Sequence, residues 1–181
     1  MTHFASFTAE RQLHFGIVTD AGAISMNATF PQFSSLQEVV VAGALKDLAK
    51  AAVGRAIDFK LDDIQYELPV AHPEKIICVG VNFPDRNAEY KDGVEAPPNM
   101  SLFPRFARSF TSANAPLIRP PESEKLDYEG EIAIVIGKQG RRIPQDQAYD
   151  HIAAITLCNE GTIRDWVRHA KFNVTQGKNW E

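Results

Sequence analysis

Three carboxylates in this chain have the type and spacing to hold a divalent cation. Glu129 and Glu131 stand two apart at the head of the apolar run in LDYEGEIAIVIGK, residues 126–138. Side chains at i and i+2 of a strand share a face. The spacing therefore predicts two like charges side by side, with Ile132, Ile134 and Ile136 carrying the apolar face. Like charges this close repel, and burying them is costly unless something compensates. A cation, arginine partners, or water at an exposed strand end would each do so. Hard divalent cations such as Mg²⁺, Mn²⁺ and Ca²⁺ prefer carboxylate oxygens. Glu160, directly after the apolar stretch ITLCN, is the candidate third ligand, because strand ends commonly converge at a site. Arg141, Arg142 and Arg164 are the candidate partners if arginine compensates instead. Taken alone, an E-x-E at a strand start is more often a solvated edge than a metal site.

The elements that must position these groups fall into two parts. LHFGIVTDAGAISM (13–26) reads as two short strands around the turn Asp20-Ala21-Gly22. SSLQEVVVAGALKDLAKAAVGRA (34–56) reads as a helix capped by Ser34 or Ser35, interrupted by Gly43 and stopped near Gly54. The alternation in IQYEL suggests a further strand. Two prolines in LPVAHPEK (68–75) break the pattern. We therefore expect a small α+β domain over 1–70 and a β-rich domain over 75–181. The second opens with the buried strand KIICVGVNF (75–83) and alternates strands with proline turns over 109–137. A helix is expected after Gly137-Arg142, with Pro144 in its first turn. TIRDWVRHA reads as a short helix, with Thr162 and Asp165 spaced like a capping box. The closing GKNWE has neither helix cap nor polar tail, so we expect a C-terminal remainder of the second domain beyond it.

Composition narrows the function classes. The 181 residues are 44% hydrophobic and 23% charged, ordinary for a globular protein. A formal net charge of -4 argues against a general nucleic-acid binder, which needs a basic surface. No apolar run approaches membrane-spanning length. The N-terminal MTHFASFTAERQLHF lacks a basic start and an apolar core, so no signal peptide is expected. The expected location is cytoplasmic. Cys78 and Cys158 sit in apolar runs without ligand-spaced partners and read as buried reduced thiols. His72, His151 and His169 read as surface or internally satisfied positions. Arg105 and Arg108 read as either substrate-carboxylate or salt-bridge partners, and Trp166 and Phe172 as core or dimer contacts.

Four stretches in order, KIICVGVNFPDRNAEY, LDYEGEIAIVIGK, NEGTIRDW and QGKNWE, resemble the fumarylacetoacetate hydrolase family. The resemblance runs from about Lys75 to the end, roughly the first half of that family's catalytic domain. It implies a mixed β-roll, a homodimer, a bound Mg²⁺ or Mn²⁺ (Ca²⁺ also occurs), and a 2-oxo or β-diketo acid substrate. By resemblance, Glu129 and Glu131 of the L-x-x-E-x-E strand are metal ligands. The third ligand is normally the Asp of N-D-x-[ST]-x-R-D; here Glu160 carries the same charge on a longer arm. Arg164 matches a substrate-facing arginine, and Lys178 matches the lysine of G-K-[ST]-F-D, which lies near the substrate's oxygens. The family's N-Y-x-D-H-x-x-E lid motif supplies a His and a Glu that activate water. Asn82, Phe83, Asp85 and Glu89 keep that frame, but Arg86 stands where His is expected. Arginine stays protonated and cannot be a general base. Glu89 is then the remaining base, with Arg86 holding it or binding a second substrate carboxylate.

The resemblance thus implies a metal-dependent enzyme that cleaves a C–C bond of a 2-oxo or β-diketo acid, or hydrates or isomerises it, in small-molecule catabolism. The Arg86 departure moves weight from hydrolysis toward decarboxylase, isomerase or lyase chemistry. The competing expectations are a metal-binding homologue without turnover, and a protein–protein module with a solvated acidic patch.

Overall fold

A computed structural model describes residues 1–80, 82, 99–169 and 174–180. The chain is α+β and strand-rich. It divides into two compact units. One comprises Met1–His72, Thr111–Pro116 and Gly130–Asn159; the other comprises Pro73–Phe110, Leu117–Glu129 and Glu160–Glu181.

The first unit is built on strands β1 (His3–Ala9), β2 (Gln12–Thr19), β3 (Gly22–Ser25) and β4 (Gln65–Glu67), in the order β3-β2-β1-β4. The turn at Asp20-Ala21 joins β2 to β3 as its sequence implies; β1 was not anticipated. Both sheet faces are covered. Phe15, Ile17, Ile24 and Met26 pack with Leu36, Val39 and Leu48 from the helices. Ala5, Phe7, Ala9 and Ala23 form a second cluster with Phe59, Ile64 and Tyr66.

The single helix expected over 34–56 is two: α1 (Leu36–Val41) and α2 (Leu45–Ala51). Ser35 caps α1, its hydroxyl accepting from Glu38 N at 3.3 Å. Glu38 in turn accepts from Ser34 N and Oγ. Gly43 divides the helices. With φ at 68° it takes the left-handed conformation that ends α1, and the amides of Gly43 and Ala44 return to the carbonyls of Val40 and Val39.

The hairpin of β8 (Gly130–Ile136) and β9 (Ile152–Asn159) also belongs to the first unit. Alternation is as expected, but the faces are reversed in burial. Glu131, Ala133 and Val135 are half-buried, whereas Ile132, Ile134 and Ile136 are 70%, 55% and 61% exposed. The reason is pairing: among the described residues β8 bonds to β9 alone in a two-stranded sheet, whose Ile155 and Leu157 share the open face. The helix expected after Pro144 is a 3-10 helix, Gln145–His151, with Pro144 preceding it.

In the second unit, β5 (Ile77–Gly80) pairs with β6 (Ser101–Pro104), setting Cys78 opposite Phe103. Strand β7 (Leu126–Asp127) pairs with β10 (Thr162–Ile163). Two short helices follow, α3 (Arg164–Val167) and α4 (Val174–Lys178). Gly177 lets them approach: a Cβ there would lie 2.8 Å from Ile163 O and Val167 N. The expected Thr162/Asp165 capping box does not form. Thr162 belongs to β10, the N-cap is Ile163, and the Thr162 hydroxyl is used elsewhere.

Candidate metal centre

Strand ends bring the acidic groups together. Glu129 follows β7, Glu131 is the second residue of β8, and Glu160 directly follows β9. Glu160 N donates to Glu129 O at 2.7 Å, tying these two backbone segments to each other. Glu129, Glu131 and Glu160 each offer a carboxylate oxygen, all within 4.8 Å of one another.

Three cations surround two of these carboxylates. Lys178 Nζ lies 2.9 Å from Glu129 Oε2 and 3.3 Å from Glu160 Oε2. Arg164 Nη1 is 2.9 Å from Glu129 Oε1, and its Nε is 2.9 Å from Asp127 Oδ2. Arg105 Nη1 is 3.8 Å from Glu160 Oε1. At that separation the two attract as charges without a hydrogen bond. Among the described residues Glu160 Oε1 accordingly has no hydrogen-bond partner, although Glu160 is only 6% exposed. Arg105 is 5% exposed; its Nη1 donates to Gly161 O at 3.2 Å and its guanidinium lies 5.2 Å from the Phe110 ring centroid. Arginine compensation is therefore present at Glu129 through Arg164, as one of the sequence alternatives expected.

Other residues fix the frame. The Thr162 hydroxyl, fully buried, donates to Glu129 Oε1 at 2.7 Å. Burial pushes the Glu129 carboxyl up, but the hydrogen bonds from Lys178 and Thr162, with the charges of Lys178 and Arg164, outweigh it and hold the group below the usual carboxylate range. The neighbours of Lys178 are anchored: Asn179 Oδ1 accepts from Phe106 N at 2.7 Å, and Trp180 Nε1 donates to Ile118 O at 2.8 Å. Lys178 Nζ also lies 5.3 Å from the Phe103 ring centroid. Cys78, opposite Phe103, is half-buried; burial and then the adjacent Glu160 carboxylate push its thiol up to about 12. Both causes disfavour a thiolate beside Glu160.

The donor set fits a hard divalent cation. All the donors are carboxylate oxygens, and the buried Oε1 of Glu160, without a hydrogen bond among the described residues, is an acceptor that a cation would satisfy. Of the residues singled out from sequence, Glu129, Glu131, Glu160, Arg164 and Lys178 come together. Arg86 and Glu89 lie outside the described residues, as do Phe83, Asp85 and Phe172. His151 is internally satisfied, its Nδ1 2.8 Å from Lys138 O. Sequence reasoning left Arg105 between two roles, and its partner is Glu160. It gave Thr162 a helix-capping role instead of its bond to Glu129, and it missed Phe103. Neither contact carries a local signal, because each acts across 33 or more residues of chain.

The description "Fumarylacetoacetate (FAA) hydrolase C-terminal" belongs to the family model that matches residues 75–181. Human oxaloacetate tautomerase FAHD2B, mitochondrial, is 30% identical over 176 residues, 92% of this chain and 52% of its own length. Oxaloacetate tautomerase YisK of Bacillus subtilis is 35% identical over 118 residues, 63% of this chain and 39% of its own length. Among solved structures, the fumarylacetoacetate hydrolase of Exiguobacterium antarcticum superposes with a TM-score of 0.76 at 25% identity. That match covers 100% of this chain and 63% of the other. A probable 2-hydroxyhepta-2,4-diene-1,7-dioate isomerase from Mycobacterium abscessus gives 0.74 at 25% identity, covering 99% and 60%. The chain spans about half the length of the curated relatives it matches. Among the described residues, no helix is long and apolar enough to cross a membrane. With its fold and its sequence from residue 75 onward in agreement, the chain belongs to the fumarylacetoacetate hydrolase family.

Proposed function

We propose that this chain carries the metal-binding part of an enzyme that promotes proton movement next to the carbonyl of a 2-oxo dicarboxylic acid, as a tautomerase or isomerase. The observation that carries the reading is the acidic triad Glu129, Glu131 and Glu160, two of whose carboxylates are paired with Lys178, Arg164 and Arg105. Mg²⁺ or Mn²⁺ would be held by those three carboxylates. When bound, such a cation supplies a Lewis acid that stabilises enolate character in the substrate.

The chain's own residues supply the rest. Arg164 and Lys178 place positive charge at the carboxylate cluster, where an anionic substrate must approach, and so bind and orient it. Thr162 and Asp127 hold Glu129 and Arg164 in place. Hydrolysis or another C–C bond cleavage is the broader activity implied by the family, and Glu89 would be its base. The names of the relatives, oxaloacetate tautomerase and hydroxyheptadienedioate isomerase, favour the tautomerase or isomerase reading. So does Arg86, which removes the histidine of the expected His–Glu pair. Association as a homodimer remains part of the proposal.

The test is decay of enol-oxaloacetate, followed by its ultraviolet absorbance, with purified protein and added Mn²⁺. We expect acceleration that chelator abolishes and that Glu131→Gln lacks. Acylpyruvate cleavage serves as the parallel assay. Saturable Mn²⁺ binding without turnover in either assay would favour a non-catalytic metal-binding homologue instead.

A further inference from the structure

Lys178 occupies an unusual place for a substrate-binding lysine. Its ammonium bridges Glu129 Oε2 at 2.9 Å and Glu160 Oε2 at 3.3 Å, and both of those carboxylates belong to the candidate ligand set. Lys178 is 5% exposed and Glu160 6%, so the bridge is screened from water. The arginines are placed differently. Arg164 takes the other oxygen of Glu129 and is shared with Asp127. Arg105 faces the other oxygen of Glu160 and is held by Gly161 O and the Phe110 ring. Each arginine is thus tied to one carboxylate and to a further group outside the triad. Lys178 contacts one oxygen, Oε2, of both carboxylates. It also lies over the face of Phe103, and its four-carbon stem is flexible.

Resting on the metal reading above, we propose that Lys178 is the internal counter-ion of this site: its ammonium bridges Glu129 and Glu160 as a divalent cation would, and the two compete for the same pair of carboxylates. The bridge holds the carboxylates together before metal arrives, since unrelieved like charges would push them apart. Cation binding displaces the ammonium from one or both carboxylates. It is then free to meet the negatively charged oxygens of a substrate. The order follows from charge alone: metal first, then a lysine available to the anionic ligand.

The experiment is a Mn²⁺ titration of the full 181-residue chain, with free Mn²⁺ read by electron paramagnetic resonance. Wild type is compared with Lys178→Met and Lys178→Arg. Removing the competing charge should tighten Mn²⁺ binding at least tenfold in Lys178→Met. Lys178→Arg, which keeps the charge, should stay near wild type. Without metal, Lys178→Met should melt below wild type, and saturating Mn²⁺ should narrow that gap. Equal or weaker Mn²⁺ binding by folded Lys178→Met would overturn the counter-ion role while leaving the metal site standing. Failure of every form to bind Mn²⁺ would sink both readings. Should Lys178→Met not fold, wild type with ¹⁵N-labelled lysine decides the question. The Lys178 ammonium resonance should move on saturation with Mg²⁺, and an unmoved resonance would overturn the proposal.

Discussion

Two regions of this chain are buried by opposite means. From β1 through α2 the interior is apolar: Phe7, Phe15, Met26, Val39 and Leu48 are each at most 1% exposed. Around β10 and α4 the buried side chains are Arg105, Ser123, Glu160, Thr162 and Lys178, with Ile163 as the apolar exception among the described residues. An apolar core is non-directional and gains stability in proportion to the area it hides. A buried ionic cluster gains little net stability, because desolvation offsets attraction; it is strongly destabilised when one partner is lost. The first region is thus organised to be stable. The second keeps charges at defined positions, which is what binding a cation and an anionic substrate requires.

That contrast can be broken or sharpened experimentally. The largest effect should come from Arg105→Ala, which leaves the buried Glu160 with Lys178 as its remaining ion partner among the described residues and should cost about 3–5 kcal/mol in urea unfolding. A loss under about 1 kcal/mol would show that water or backbone adjustment already satisfies Glu160. Phe15→Ala should cost a similar ~3–5 kcal/mol through its cavity. The two variants should separate by their response to Mn²⁺: metal should partly restore neither the cavity nor the core, but should change the unfolding midpoint of Arg105→Ala relative to wild type. Smaller effects test the helix break. Gly43→Ala should cost about 1 kcal/mol from backbone conformation alone, since a Cβ there meets nothing within 4 Å while φ is 68°. Ser35→Ala should cost about 1 kcal/mol by loss of the cap. The smallest effect is a pH dependence at Glu38. Hydrogen bonds from Ser34, the backbone one first, hold its carboxyl below its ordinary value of 4.5. A depressed folded-state pKa contributes stability above the unfolded value and loses it as pH falls through the folded one. Glu38→Gln should therefore flatten the acid side of the stability profile and leave the neutral side's slope unchanged.

The parts of this picture that sequence could reveal are local or periodic. The E-x-E spacing announced Glu129 and Glu131, and the end of an apolar strand announced Glu160. Ser35 was readable as a cap because its bond to Glu38 spans three residues. Gly43 was readable as an interruption, though not as the complete stop it makes through bonds from Gly43 and Ala44. Long-range contacts left no such trace. Arg105 meets a carboxylate 55 positions away, and Thr162 looked like a helix cap because its hydroxyl's true partner, Glu129, is 33 positions distant. The exposure of Ile132, Ile134 and Ile136 was also hidden. Alternation tells which side chains share a face, but the neighbours packed against that face decide whether it is buried.

The central claim is that the three glutamates form one cation site. It is tested most directly by calorimetric titration of Mn²⁺ into wild type, Glu129→Gln, Glu131→Gln and Glu160→Gln, each checked for native circular dichroism. The account predicts single-site, saturable binding to wild type and at least a tenfold loss of affinity in every folded variant. Absence of binding to wild type, or binding that all three variants retain unchanged, would contradict it.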